Sequence, residues 1–296
     1  MKSFVFALAI AALPLAAQNS SLQGSITDAQ GGAVPGAVVT ATNTDTSASR
    51  KALTDGTGAY SILQVTPGPY KVMVEKPGFK SHSTDIVLQT ETPETWNVKL
   101  EIGQVTETVN VMGEAAVINT ENAAVGNPFN ETQVKEIPLQ TRNVVSLLSL
   151  EPGVAPSGQV NGAKPDQNNV TLDGVDVNNN WGGNSANGFN ASIPIPLDSV
   201  QEFRTTVAGV GADQGYMSGG QVSIVTKGGS NQFHGTAYEY NRNTFTSANT
   251  WTNNHAVPFV PRAALVRNQF GASLGGPVLK NRLFFFYNYE GRTRCV

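Results

Sequence analysis

Cysteine is nearly absent: one residue, Cys295, in a chain of 296. An intramolecular disulfide is impossible, and so is a metal site built on cysteines. Charge is scarce as well. Asp, Glu, Lys and Arg make up 14% of the chain, against ~25% in an average soluble domain. The balance is −3, with no run of lysines or arginines. An acidic chain without a basic cluster is a poor binder of phosphate backbones, so nucleic acid is not an expected partner. The three histidines, His82, His234 and His255, stand far apart and form no HExxH or other metal-ligand spacing. There is no GxSxG elbow, no P-loop and no GxGxxG opening a helix. Carboxylates are too scattered to nominate a paired acid and base. The expectation is a protein that is not an enzyme, with no cofactor and no metal; a hydrolase would offer no residue whose loss could test it. After residue 20 no apolar run approaches the ~20 residues a membrane-spanning helix needs. If the chain enters a membrane, it does so through strands.

What is present begins with MKSFVFALAIAALPLAA, residues 1–17. Lys2, an apolar stretch and then small residues make a secretory signal peptide. Cleavage is expected after Ala17, with Leu15 an imperfect −3 residue. No cysteine follows, so no lipoprotein anchor is expected.

Residues 20–101 alternate short strand runs with turn clusters. Leu22–Thr27, Ala37–Thr42, Lys51–Thr54, Tyr60–Leu63, Tyr70–Glu75, Asp85–Gln89 and Thr95–Glu101 are separated by DAQGGAVPG, NTDTSAS, DGTG, TPGP and KPGF. Six or seven short strands at this spacing predict an all-β sandwich. Pro35 and Pro67 fix φ, and the glycines beside them permit turn geometries that other residues resist. Tyr60 and Phe79 are expected in its core.

Residues 102–127 form a Thr/Val-rich connection. A second β-rich region, 128–229, follows. In it NVVSLLSL predicts a short helix capped by Thr141 or Asn143, with Val144, Val145, Leu147 and Leu148 clustered on one side. Arg142, if buried, needs paired acceptors. Val170–Val177, Val200–Val207 and Gln221–Lys227 have the length and β-branched content of strands. Between the first two, nine of the thirteen residues from Asn178 to Asn190 are Asn or Gly. Such a loop buries no core of its own, yet it can present amides and two aromatic rings to a ligand. Asn180, Trp181, Asn184 and Phe189 are the candidate solute-binding residues, since rings with neighbouring amides suit sugars or peptides. Asp173, Asp176, Asn178 and Asn180 resemble a calcium set in composition only. The EF-hand pattern, started at Asp176, puts Trp181 where glycine is needed and Asn187 where glutamate is needed, so no metal site is assigned, and Asp173-Gly174 reads as the turn of a strand-turn-strand phrase, TLDGVDV.

From Gln232 the pattern changes again. Gln269–Gly276 alternates, with Phe270, Ala272 and Leu274 on one face. Leu283, Phe285, Tyr287 and Tyr289 line up on the next strand, with Phe284 and Phe286 interrupting the alternation. Strands of about ten residues with an apolar-aromatic face suit a membrane barrel. Gly275–Pro277 and Lys280–Arg282 are expected in the connecting turn, and the polar stretch between Arg242 and Asn268 as a long loop.

Several phrases carry a resemblance. GSITDAQGGAVPGAVVTATN and TDGTGAYSILQVTPGPYKVMVEKPGF resemble the carboxypeptidase-regulatory-like domain, a carbohydrate-binding-like fold. LDGVDV, LDSVQEFR, GGQVSIVTKGGSNQFHGTAYEYNRN and RNQFGASLGGPVLKNRLFFFYNYEG, in that order, resemble the plug and first barrel strands of TonB-dependent outer-membrane receptors of the Oar-like group. The implied architecture is mainly β: a seven-stranded sandwich at 20–101, a linker at 102–127, an α+β plug at 128–229, and the first strands of an incomplete transmembrane barrel at 230–296. The implied function is import of an extracellular solute, a saccharide or a peptide, through a plugged barrel in outer-membrane lipid, driven by a TonB energy-transducing protein. The segment that TonB would capture, the TonB box, is placed at Val105, Thr106, Glu107, Thr108, Val109, Asn110 and Val111; the same residues also read as the sandwich's last strand running into the linker. Carboxypeptidases carry the sandwich as an appendage, so it implies no peptidase activity. A family barrel has about twenty-two strands, and only three fit after Gln232. The full-length parent is therefore expected in the outer membrane, and this stretch alone in the periplasm or aggregated. The alternative expectation is a secreted or surface carbohydrate-binding sandwich without transport.

Overall fold

The structure is a computed structural model and describes residues 20–103, 108–110, 124–139, 142–178, 195–210 and 218–295. The expected signal peptide, 1–17, lies outside these residues. The chain divides into two compact units after Thr226. No described helix is long and apolar enough to cross a membrane.

The first unit begins with a sandwich. One sheet is built on β1 (Ser20–Asp28), with β4 (Ala59–Val65) antiparallel on one side. Two short strands, β7 (Pro93–Thr95) and β8 (Val98–Leu100), lie parallel to it on the other. The facing sheet has the order β3 (Ser49–Leu53), β2 (Val38–Asn43), β5 (Gly68–Glu75), β6 (Ser81–Leu88), β9 (Thr108–Asn110). Counting β7 and β8 as one interrupted strand, the expected seven are there before β9. Alternation along β5 buries Tyr70, Val72 and Val74, which meet Leu22, Ile26, Val39 and Leu100 from the other strands. Tyr60 is buried and Phe79 packs at the margin of the same core. Gly24 is fixed by proximity: a Cβ there would sit 2.0 Å from the Trp96 carbonyl oxygen. The Tyr60 hydroxyl donates to that same carbonyl at 2.8 Å.

The second part of this unit is one sheet in the order β10 (Pro128–Asn130), β13 (Val200–Thr206), β14 (Gln221–Thr226), β11 (Asn169–Leu172), β12 (Val175–Asp176). Phe203, Val222 and Ile224 from one face of it join Val134, Val144, Val145, Leu147 and Leu148 in a core separate from that of the sandwich. Val134 belongs to α1 (Glu131–Glu136), whose capping box pairs Asn130 with Gln133. Val144–Leu150 is a 3₁₀ helix, with Val144, Val145, Leu147 and Leu148 fully buried. Its cap is Asn143, whose Oδ1 accepts from the Val145 amide at 3.2 Å; Thr141 lies outside the described residues. Arg142 finds its acceptor in Asp198, at 3.2 Å.

Val170–Val177 is not one continuous strand but a hairpin about the expected Asp173-Gly174 turn. Asp173 and Gly174 both take positive φ, 48° and 79°, and the chain reverses so that Leu172 pairs with Val175. Paired left-handed residues are the signature of a two-residue hairpin turn, for which Asp-Gly is a preferred sequence. Asp173 also accepts from the Thr226 amide and hydroxyl, at 2.9 and 2.7 Å.

The second unit is an antiparallel sheet of β15 (His234–Asn243), β16 (Val266–Leu279) and β17 (Leu283–Cys295). The stretch between β15 and β16 contains the short helix α2 (Trp251–His255), capped by Thr250. Register places Phe270, Ala272 and Leu274 on one face with Tyr287 and Tyr289, and all five are exposed. The opposite face is polar: Gln269 and Tyr238 both donate to Glu290, and the hydroxyls of Thr236 and Ser273 meet at 2.9 Å. The connecting turn is Lys280–Arg282 alone, with Asn281 at φ 61°. Gly275–Pro277 belongs to β16 and pairs with Phe284–Phe286. These glycines make room for rings: a Cβ on Gly276 would lie 2.4 Å from the Phe233 ring, and one on Gly275 would lie 3.0 Å from Phe286. Pro277 is tolerated because β15 pairs with β16 only over Val266–Gly275 and stops short of it, so no neighbour on that side needs its missing N–H.

Candidate functional site

The Asn/Gly loop leaves the second sheet at Asn178. The Asn178 Oδ1 accepts from the Val170 amide at 2.9 Å, and its Nδ2 donates to Asn169 and to Asp176, both at 2.7 Å. Asn169 in turn donates to Gln221 at 2.8 Å, across the parallel β11–β14 pair. The loop's root is thus a network of side-chain amides and one carboxylate, held by three strands. Amides offer donor and acceptor together, which suits hydroxyl-rich or peptide ligands. Asn180, Trp181, Asn184 and Phe189 themselves lie outside the described residues. The oxygens of Asp173 and Asp176 are engaged by Thr226 and Asn178. Among the described residues no three of His, Cys, Asp and Glu converge as metal ligands.

Of the candidate TonB box, Thr108, Val109 and Asn110 form β9, while Val105, Thr106, Glu107 and Val111 lie outside the described residues. β9 runs parallel to β6, with Ser81, His82 and Ser83 opposite its three residues. It is the outer strand of the sandwich sheet. That is the place of a last sandwich strand, and also the extended backbone that strand addition to another protein requires.

A third group joins the sandwich to the second sheet, and no motif or periodicity in the sequence marks it. The loop between β6 and β7 carries Thr90, Glu91 and Thr92. The Thr90 amide donates to both carboxylate oxygens of Glu202, at 3.0 and 3.1 Å, and its hydroxyl donates at 3.2 Å. Arg204 donates to the Thr92 hydroxyl, and Ser223 to the Glu91 carboxylate at 2.9 Å. Glu202, Arg204 and Ser223 are all buried. Burial raises the Glu202 pKa, against the opposing pull of the Thr90 hydrogen bonds and the Arg204 charge. It lowers that of Arg204, which Glu91 and Glu202 counteract. Nearby in the chain, burial pushes Glu94 up to about 7. The only legible hint was the charged pair Glu202 and Arg204 inside an otherwise ordinary strand.

The described residues thus hold a sandwich, a second sheet with short helices, and a three-stranded sheet with one apolar and one polar face. Residues 21–101 match the carboxypeptidase regulatory-like domain, and residues 225–294 match the outer membrane beta barrel domain. The chain is 29% identical to the TonB-dependent transporter Oar of Myxococcus xanthus over 289 residues, 92% of this chain and 27% of that protein. The chain is similar to that transporter and spans about a quarter of its length. Among solved structures, the siderophore receptor PirA of Acinetobacter baumannii aligns with 62% of this chain and 26% of its own, at 17% identity and a TM-score of 0.42. The catechol 1,2-dioxygenase of Acinetobacter sp. ADP1 aligns with 32% of this chain and 59% of its own, at 14% identity and a TM-score of 0.27. Likenesses of that extent say nothing about activity.

Proposed function

We propose that this chain is part of a TonB-dependent outer-membrane transporter that binds an extracellular solute and imports it through a plugged barrel. The observation that carries this is the second unit's sheet. Phe270, Leu274, Tyr287 and Tyr289 are exposed on one face, while Gln269, Ser273 and Glu290 hydrogen-bond on the other. A soluble protein puts its apolar face inside; a lipid-embedded barrel inverts this. In this reading residues 128–229 are the plug and the Asn178–Asn190 loop meets the solute, a saccharide or a peptide. The 244–265 stretch is extracellular, and Val105–Val111 is drawn out by TonB. The similarity to a named transporter supports it; the solute and the partner's strand are part of the proposal.

The test uses a peptide covering residues 103–113 and a TonB C-terminal domain from the same cell, followed by NMR. Strand addition predicts shifts confined to the edge strand of the TonB domain. No shift at millimolar peptide removes the TonB-box assignment.

A further inference from the structure

The two apolar cores of the first unit do not merge. Among the described residues, one draws on side chains between Leu22 and Leu100, the other on side chains between Phe129 and Ile224. What lies between them is polar. On β13 and β14, Phe203 and Ile224 face the second core, while their neighbours Arg204 and Ser223, a cross-strand pair, face the other way with Glu202. Thr171 extends this polar face through its hydroxyl, which donates to the Val222 carbonyl at 3.3 Å. The loop that meets this face is polar too: Thr90, Glu91 and Thr92, with Glu91 at φ 54°. A left-handed non-glycine residue persists only where its surroundings hold it, and here Ser223 holds its carboxylate. The Arg204 Nε is buried without a hydrogen-bond acceptor among the described residues. Charged groups at the contact are Glu91 from the sandwich, with Glu94 next along the chain, and Glu202 and Arg204 from the sheet.

We propose that the sandwich is a separable cover on the second sheet, docked through Thr90–Thr92 onto Glu202, Arg204 and Ser223. An interface permanent by design is apolar, like a core cut in half. This one rests on hydrogen bonds to charged groups, which are strong when complete and costly when any partner is lost. Such a contact has two states, seated or released, with little between. Each body keeps its own core when they part. The seated sandwich shields the polar face of the sheet, and its release exposes Glu202 and Arg204 together. The inference stands apart from the transport reading, because it concerns only how the two bodies are joined.

The experiment nicks the linker of the otherwise intact chain at a protease site placed between residues 111 and 123, then passes it over a sizing column at micromolar concentration. The two pieces are expected to elute together, and with Arg204→Met or with Thr90→Val/Thr92→Val the pieces are expected to separate. The Thr90→Val/Thr92→Val pair leaves the second sheet untouched. In the uncut chain, Glu202→Ala should speed hydrogen exchange of the Thr90 amide at least tenfold while the Val72 and Val74 amides stay protected. Separation of the unmutated pieces, co-elution of the variants as tightly as the parent, or unchanged Thr90 exchange would each overturn the proposal.

Discussion

The amide of Thr90 donates to both carboxylate oxygens of Glu202, a residue 112 positions further along the chain. Nothing local predisposes either residue to the other. The contact exists because the sandwich and the second sheet come together, and it buries a carboxylate that would otherwise be hydrated. Burial of acids in this unit has measurable consequences.

Glu94, on the strand paired with β1, has its pKa pushed up to about 7 by burial. A raised acid binds more protons in the folded state than in the unfolded one, where its value is near 4.5. Its contribution is therefore full below pH ~4.5 and is lost as pH rises through about 7. The sandwich should melt at a lower temperature at pH 8 than at pH 5, followed by Trp96 emission in a Trp181→Phe/Trp251→Phe background. Glu94→Gln should flatten this dependence. An unchanged slope in that variant would assign the effect to other groups.

Phe203 is fully buried and its ring meets Phe129 at 5.8 Å. Phe203→Ala should cost about 3–5 kcal/mol, the usual loss for a buried ring. Phe245 is 88% exposed, and Phe245→Ala should stay within about 0.5 kcal/mol. Urea unfolding measures both, and similar costs would mean that the second core is not built on Phe203.

The Asp173–Gly174 turn makes two separable demands. Gly174→Val puts a β-branched residue at φ 79° and should cost at least about 1–2 kcal/mol. Asp173→Ala removes the acceptor of both Thr226 donors and should cost about 1–3 kcal/mol. Thermal unfolding of the two variants tests this. A neutral Gly174→Val would show that the hairpin does not need the left-handed turn.

Trp181 is the probe for the solute loop. If the Asn178–Asn190 stretch meets a saccharide or a peptide, titrating a panel of each should shift Trp181 emission in a Trp96→Phe/Trp251→Phe chain. Asn184→Ala should weaken the response several-fold. A flat response to both classes would retire Asn180, Trp181, Asn184 and Phe189 as binding residues.

The sequence by itself determined what depends on near neighbours. Turn residues at short intervals set the sandwich strands, because Pro and Gly fix or free φ wherever they stand. Asp173–Gly174 imposed its reversal for the same reason, and alternation along Gln269–Gly276 divided that strand into an apolar and a polar face. Thr141 or Asn143 before the run Val144–Leu148 declared a capped, one-sided helical turn, and the structure assigns the cap to Asn143. Only the tertiary structure decided where Gly275–Pro277 belongs. As a triplet it reads as a turn, but the rings of Phe233 and Phe286 need the space that missing side chains leave, so it pairs within β16. It also decided that Phe284 and Phe286 share the face of Gln269 and Ser273, since pairing register fixes the face whatever the composition of the strand. Above all it decided the junction of Thr90, Glu91 and Thr92 with Glu202, Arg204 and Ser223. Hydrogen bonds between residues so far apart in sequence leave no periodicity to read. Their strength depends on paired charges in water-poor surroundings, which arise only when the two bodies meet.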